Sequence, residues 1–102
     1  MEKQIDFDFK DIDYQGGKIR YDNYYLTLEE DMLSVDYQNG FFIDVGWYEG
    51  VQAFIIYVIR DCAWDVPEKI YTAYTSQELF LLLNQAILFT SQECKKHKSN
   101  YL

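Results

Sequence analysis

The chain has 102 residues, of which 49% are hydrophobic and 19% aromatic, with a single proline. This length predicts one domain over residues 1–102, and the composition excludes a disordered, collagen-like or low-complexity chain. The formal net charge of −8 argues against direct binding to nucleic acid, because an acidic surface repels phosphates. The charge either attracts a basic protein partner or serves only to keep the domain dispersed in solution.

Membrane and export signals are missing from the sequence pattern. No run of 18 uncharged apolar residues is present to span a bilayer, and residues 1–4 lack the basic and apolar regions of a signal peptide. Cys62 and Cys94, the two cysteines, are too few and too far apart for a disulfide scaffold. We therefore expect a cytoplasmic chain whose two cysteines are buried or inert thiols, with a structural disulfide as the alternative.

The N-terminal third predicts a hairpin. Residues 5–9 alternate with period two, as in a strand, and Gly16-Gly17 suits a two-residue turn with positive φ. Pairing across that turn places Tyr14 opposite Ile19 and continues apolar on apolar. An acidic connection is predicted over residues 28–31.

A second hairpin is predicted from the alternation over residues 33–37 and 41–47. A three-residue loop that ends at Gly40 places Val35 opposite Ile43, so that apolar side chains share one face. We therefore predict a type I turn with a glycine bulge at Gly40.

The next segment, Ala53 to Ile59, is almost wholly apolar, which is typical of a strand covered on both faces. Residues 61–68 predict a loop that Pro67 closes, and residues 69–74 predict a short strand. The strands are thus collected before a single helical segment.

That helix is predicted from Ser76 to about Lys95. Thr75 and Glu78 fit a capping box at its start, and the lysines at its end suit the helix dipole. Its apolar arc is broad, which indicates cover by the N-terminal hairpin or contact with a partner; the arc comprises Leu79, Phe80, Leu81, Leu82, Leu83, Ala86, Ile87, Leu88 and Phe89. The predicted fold is α+β, an antiparallel β-sheet of about five to six strands packed against one long C-terminal helix.

The sequence offers little for catalysis or metal binding. His97, the single histidine, lies among lysines at a helix end, which is a poor place for a general base. Cys94 is one helical turn away, but no third orienting group accompanies the pair. The acidic residues from Asp6 to Asp13 do not fit a calcium loop, so we predict no enzyme, no metal and no cofactor.

A recognition surface is the better prediction. Large aromatic side chains with polar tips are favoured interface anchors, and exposed carboxylates can match a basic cleft. The aromatic candidates are Trp47, Tyr48 and Trp64. The carboxylate candidates are Asp36, Asp44, Glu49, Asp61 and Asp65. The alternatives are that the tryptophans cap the edge of the core and that the carboxylates form an ordinary solvated face.

Residues 41–90 also carry a pattern of aromatic, proline and helix-cap positions. Asp44-Val-Gly-Trp-Tyr48 is followed by an apolar strand that ends in Val58-Ile-Arg60, by Trp64-Asp-Val-Pro67 and by Thr75-Ser-Gln-Glu-Leu79 at the helix start. This layout resembles small bacterial immunity proteins of contact-dependent growth inhibition and other polymorphic toxin systems.

The resemblance implies a cytoplasmic binding protein, not an enzyme, that neutralises one cognate toxin domain by occluding its active site. Such toxins are often basic nucleases. Because binding residues differ among these proteins, the resemblance assigns no site residue. The alternative function is a homodimeric scaffold that uses the helix face around Phe80, Leu81 and Leu88, and the sequence leaves the oligomeric state open.

Overall fold

A computed structural model describes residues 5–22 and 32–97. The described elements are β1 (Lys18–Asp22), β2 (Leu33–Asp36), β3 (Phe41–Tyr48), β4 (Ala53–Arg60), β5 (Lys69–Ala73) and the helix α1 (Ser76–Lys96). The five strands form one antiparallel sheet in chain order. Since α1 packs on one side of β3, β4 and β5, the predicted α+β class is confirmed.

The hairpin of β2 and β3 has the predicted register, with Val35 opposite Ile43 and Leu33 opposite Val45. The three-residue loop is confirmed, but its turn type is not. Both Asn39 (φ 59°) and Gly40 (φ 82°) have left-handed backbone, whereas a type I turn needs negative φ at Asn39. Asparagine tolerates this conformation better than most residues.

The inner face of the sheet forms the core. Side chains that alternate along β2, β3 and β4 point towards α1 and meet the buried stripe of the helix; they include Leu33, Val35, Ile43, Val45, Trp47, Phe54, Ile56, Val58, Leu79, Leu83, Ala86 and Ile87. β4 is internal, as its apolar sequence predicts. On its other face Ile59 is fully buried, while Ile55 and Tyr57 are partly exposed.

The helix begins and ends within one residue of its predicted bounds. The Thr75 hydroxyl accepts a hydrogen bond from the Glu78 amide at 3.1 Å. The Glu78 carboxylate accepts from the amide of Tyr74 at 2.7 Å, one residue before the usual capping-box donor. The start of α1 is therefore fixed by two side chains.

The predicted N-terminal hairpin is wrong. Residues 5–8 form no strand, Phe9–Asp11 is a 3-10 turn, and β1 pairs with β2. The Asp8 carboxylate accepts from the amide of Lys10 at 2.9 Å, and this local cap competes with extended backbone. The predicted acidic connection at 28–31 lies outside the described residues.

The N-terminal segment instead covers one edge of α1. Phe9 is only 1% exposed, and the Phe7 ring contacts that of Phe80 edge-on at 5.3 Å. The Asp6 carboxylate accepts from the Ser76 hydroxyl at 2.7 Å. Part of the broad apolar arc is thus covered by the chain itself, as expected, although by an irregular segment and not by a hairpin.

Tyr14, which is buried, and Tyr37, which is partly buried, fix the path that leads into β1. The Tyr14 hydroxyl donates to the Phe9 carbonyl at 2.6 Å, and the Tyr37 hydroxyl donates to the Tyr14 carbonyl at 2.7 Å. Burial raises the pKa of both phenols well above the ordinary value. Both hydroxyls therefore stay protonated and donate at neutral pH.

Both cysteines lie within the described residues. Cys62 and Cys94 are free, so the structure contains no disulfide between them; Cys94 is buried and Cys62 is exposed. Within residues 5–22 and 32–97, no helix is long and apolar enough to cross a membrane.

Candidate functional site

A cleft of about 430 Å³ lies on the outer face of the sheet, the face turned away from α1. We call it the outer cleft. Its described lining residues are Arg20, Tyr21, Ser34, Asp36, Tyr37, Gly40, Phe41, Phe42, Asp44, Asp61, Cys62 and Trp64. Four of the eight predicted recognition residues therefore meet in one place: Asp36, Asp44, Asp61 and Trp64.

Asp36 and Arg20 form the polar edge of the outer cleft. Asp36 ends β2 directly opposite Phe42 of β3, and half of its side chain is exposed. Its Oδ1 accepts hydrogen bonds from Arg20 Nε at 3.2 Å and from Nη2 at 2.9 Å. The Arg20 guanidinium also lies over the Phe42 ring, 5.2 Å from its centroid.

Aromatic rings line part of the outer cleft and continue across the sheet beside it. Trp64 is 48% exposed, and its ring contacts the edges or faces of Phe42 and Tyr57 in T-shaped geometry, each at 5.6 Å between centroids. Tyr57 in turn contacts Tyr48 at 6.3 Å. A continuous row of rings thus crosses the outer face, and its most exposed member is Trp64.

A left-handed turn brings Trp64 back over the sheet. Asp61 and Cys62 have φ of 57° and 58°, and the Ala63 amide donates to the Arg60 carbonyl at 3.1 Å. Two consecutive non-glycine residues in this region are energetically costly. The turn is anchored to the loop of the second hairpin, since the Asp61 amide donates to the Gly40 carbonyl at 3.0 Å.

Glycine at position 40 leaves room for the Asp61 carboxylate. A Cβ on Gly40 would collide with Asp61 Oδ1. The absence of a side chain therefore lets the Asp61 carboxylate, which is 72% exposed, sit at the rim of the outer cleft.

Asp44 is not the surface carboxylate that the sequence predicted. It is only 5% exposed and accepts a hydrogen bond from the Tyr21 hydroxyl at 3.2 Å. The strand alternation placed Asp44 on the outer face correctly. Asp44 lines the outer cleft but exposes little of its surface there.

Trp47 is also not an exposed anchor. It is 1% exposed, its ring contacts Phe54 in the core, and its Nε1 donates to Glu49 at 2.8 Å. The alternative prediction, a tryptophan that closes the edge of the core, describes Trp47 correctly. Its position in β3 matches the parity of the buried residues Ile43 and Val45.

The remaining candidates lie outside the outer cleft. Glu49 is exposed at the far end of β3, where Gln52 also bonds to its carboxylate at 2.7 Å. Tyr48 is half-buried beside Tyr57. Asp65 follows Trp64 in the exposed loop but does not line the cleft.

Sequence reasoning missed Arg20, Phe42 and Tyr57 as site residues. The sequence pattern could have indicated Phe42 and Tyr57. These two aromatic residues occupy positions of β3 and β4 that should be polar if the outer face were simply exposed to solvent. Arg20 gave no comparable signal. It sits at an irregularity of β1, between Ile19 and Tyr21, which alternation does not reveal.

The histidine is held in a structural cluster. An arginine always donates, so Arg60 Nη1 donates to His97 Nδ1 at 2.7 Å and the Nε2–H faces Glu93 at 3.1 Å. The hydrogen bond from His97 is the main reason that the pKa of Glu93 is lowered. Both ring nitrogens thus have partners, and Cys94 instead donates to the Ser91 carbonyl.

The acidic residues at the N-terminus have local partners. Asp8 caps its turn, Asp6 bonds to Ser76, and Asp13 accepts from the amide and side chain of Gln15. Among the residues that the structure describes, no three His, Cys, Asp or Glu side chains converge as metal ligands would.

Comparison with protein-family models, with curated proteins and with solved structures finds no match for this chain. The outer cleft and the net charge of the molecule are therefore the features that bear on its function.

Proposed function

We propose that the chain is an immunity protein: a cytoplasmic, non-enzymatic protein that binds a cognate toxin domain, a basic nuclease, and neutralises it by occluding its active site. The observation that carries the proposal is the outer cleft, which the exposed side chains of Asp36, Asp61 and Trp64 all line. Tryptophan is enriched among the residues that dominate binding energy, and complementary charge steers a partner to the surface and fixes its register.

The mechanism follows from charge. A nuclease active site binds phosphates through cationic side chains, and a carboxylate offers these the same oxygen acceptors. Asp36, Asp61 and the neighbouring Asp65 would form ion pairs with these cationic side chains. Trp64 would supply apolar contact area. The net charge of −8 speeds encounter with a basic partner.

The experiment is a tagged pull-down from the native cells at low and moderate salt, followed by mass spectrometry and purification of the captured protein. The proposal expects a basic toxin domain whose nuclease activity is blocked by the wild-type chain. Asp61→Lys and Trp64→Ala should weaken this inhibition. Asp11→Lys makes the same charge reversal at an exposed site on the 3-10 turn and should not. A captured protein that keeps full activity with saturating wild-type chain contradicts the proposal.

A second candidate is the homodimeric scaffold, which a specific observation favours. Leu81 and Leu88 are each 55% exposed and Phe80 is 42% exposed on the outer side of α1. Sedimentation at low micromolar concentration decides it. A monomer contradicts the scaffold, whereas a dimer that Leu88→Glu dissociates supports it.

A further inference from the structure

Arg20 shows which chemical group the outer cleft holds. Its guanidinium donates two hydrogen bonds to Asp36 and lies over the face of Phe42. A carboxylate at the edge of the guanidinium plane and a ring against its face are the two contacts that select arginine over other cations. The outer cleft therefore already binds one guanidinium group, that of Arg20.

Among the described lining residues, the exposed carboxylates of the outer cleft outnumber its one basic side chain. Arg20 is bonded to Asp36, and Asp61 is the second exposed carboxylate. Asp61 is exposed at the rim, and its nearest described cation, Arg60 Nε, lies 3.8 Å away, at the limit of an ion pair. A further cation is thus favoured beside Asp61.

Trp64 supplies the exposed ring that a second guanidinium needs. Trp64 is half exposed, while Phe42 and Tyr57 support its ring. An incoming planar cation can stack on the indole, the best cation–π acceptor among side chains, and reach the Asp61 carboxylate with its N–H groups. This arrangement would repeat, across the cleft, the pairing of Arg20 with Phe42 and Asp36.

We infer that the outer cleft binds an arginine side chain of the partner protein between Asp61 and Trp64. The identity of that partner rests on the proposed function, whereas the guanidinium site does not. Arginine is the residue that grips phosphates bidentately in nucleic-acid enzymes. An immunity protein that captured it would remove a phosphate ligand from the toxin.

The site is tested without the toxin, with N-acetyl-arginine amide as the probe and N-acetyl-lysine amide as its matched control. NMR titration follows the indole N–H resonances of Trp64 and Trp47, which Trp64→Phe assigns. We expect the arginine probe to shift the Trp64 resonance, to leave that of the buried Trp47 unmoved, and to bind more tightly than the lysine probe. Asp61→Asn should weaken probe binding about threefold, the size of an exposed charge pair or cation–π contact.

Arg20→Ala should change the affinity in the opposite direction to Asp61→Asn. Arg20 is the one basic side chain among the described lining residues of the outer cleft, so its removal lessens repulsion of an incoming guanidinium and the arginine probe should bind more tightly at Asp61 and Trp64. Lys10→Ala removes the same charge from the 3-10 turn and controls for net charge, and we expect it to leave the affinity unchanged. Equal shifts of the Trp64 resonance by the two probes, or no shift by either, would overturn the inference.

The two proposals fail separately. If the arginine probe does not bind but the wild-type chain neutralises a captured nuclease, the arginine site is wrong and the immunity function stands. If the probe binds at Trp64 but a captured partner is neutralised equally well by Asp61→Asn and Trp64→Ala, the partner's arginine does not use this cleft, which also overturns the inference. If the probe binds and both variants lose neutralisation, both proposals are supported.

Discussion

At the scale of single residues, Gly17 is required by a neighbouring ring. A Cβ at this position would lie 2.5 Å from Cζ of Tyr37, and that ring cannot move without breaking the hydrogen bond from its hydroxyl to the Tyr14 carbonyl. We expect Gly17→Ala to lower the free energy of unfolding by about 1–3 kcal/mol, as overpacking does. Urea denaturation measures the change.

Gly50 is the matched control for that substitution. Nothing lies within 4 Å of a Cβ built on Gly50, so Gly50→Ala meets no steric cost and gains from a less flexible unfolded chain, by up to about 1 kcal/mol. The two alanine variants should therefore shift stability in opposite directions. A loss of similar size at both positions would contradict the role given to Tyr37.

Cys62 has a left-handed backbone conformation that costs free energy for a non-glycine residue, and it lies in the turn that positions Trp64. Its φ is 58°, and glycine adopts this region without a Cβ penalty. We expect Cys62→Gly to raise the free energy of unfolding by about 0.5–1 kcal/mol, the left-handed penalty less the greater entropy loss of glycine. Thermal unfolding of the single variant provides the measurement.

Asp65→Gly is the companion variant in the same loop, since Asp65 is exposed but does not have positive φ. There glycine has only its entropic cost and should lower the melting temperature. If Cys62→Gly also lowered it, the turn would not be strained as the dihedral angles indicate.

At the scale of elements, the sequence predicts best where two patterns agree. The register of β2 and β3 follows from alternation together with loop length, because a two-residue turn would have mixed the faces around Val35 and Ile43. The helix follows from the apolar spacing together with the Thr75 cap. In each case one independent signal removes the ambiguity of the other.

The N-terminal hairpin was predicted from alternation over residues 5–9 and a turn signal at Gly16-Gly17, and the alternation did not produce a strand. Phe7 and Phe9 alternate with Asp6 and Asp8, as in a strand, but Asp8 satisfies a local amide and ends the extended backbone. The pairing across Gly16-Gly17 added no independent test, since two alternating segments always match in one of two registers. What decides the outcome is tertiary, namely the packing of Phe7 and Phe9 on α1 and the core.

The candidate site was predicted in part for the same reason. Alternation places Asp36 and Asp44 on the outer face, but it does not say how deeply either is covered. The return of Trp64 depends on the left-handed turn at Asp61 and Cys62, which local sequence does not specify in the absence of glycine. The burial of Trp47 could have been predicted from the sequence, because Trp47 lies on the same face of β3 as the apolar residues Ile43 and Val45.

The hydrogen bond between His97 and Glu93 at the end of α1 predicts a pH dependence. The hydrogen bond from His97 lowers the pKa of Glu93, so the folded state holds the charged carboxylate more strongly than the unfolded chain does. The resulting stability is fully present above the ordinary pKa of glutamate and is lost as the pH falls through the lowered value. We therefore expect the difference in free energy of unfolding between wild type and Glu93→Gln to be largest near neutral pH and to vanish in acid.

Urea unfolding of the two proteins at a series of pH values from about 7 to about 3 tests this sign. The control is the same substitution in a His97→Ala background, where the main cause of the shift is gone and the difference should vary less with pH. A difference that grew on acidification would contradict the assignment of His97 as donor to Glu93.

At the scale of the whole molecule, the two faces of the sheet differ in how they are packed and in the side chains they carry. The inner face carries the core with α1 and the N-terminal segment, so its side chains are fixed by packing. The outer face has no helix among the described residues and instead carries rings, carboxylates and the outer cleft. Asp61→Asn therefore alters an exposed side chain and should leave the stability of the core nearly unchanged.

The net charge of −8 predicts opposite effects of salt on binding and on folding. Attraction to a basic partner acts over a screening length of about 10 Å at 0.1 M salt that shrinks to about 3 Å at 1 M, so the association rate should fall steeply as salt is added. Self-repulsion within the acidic chain is screened by the same salt, and the free energy of unfolding should stay level or rise. Stopped-flow association with the captured partner and urea denaturation, measured in the same buffers, give the two quantities. Slower association without loss of stability assigns the salt effect to the charged surface; a parallel loss of stability would assign it to unfolding and would contradict electrostatic steering.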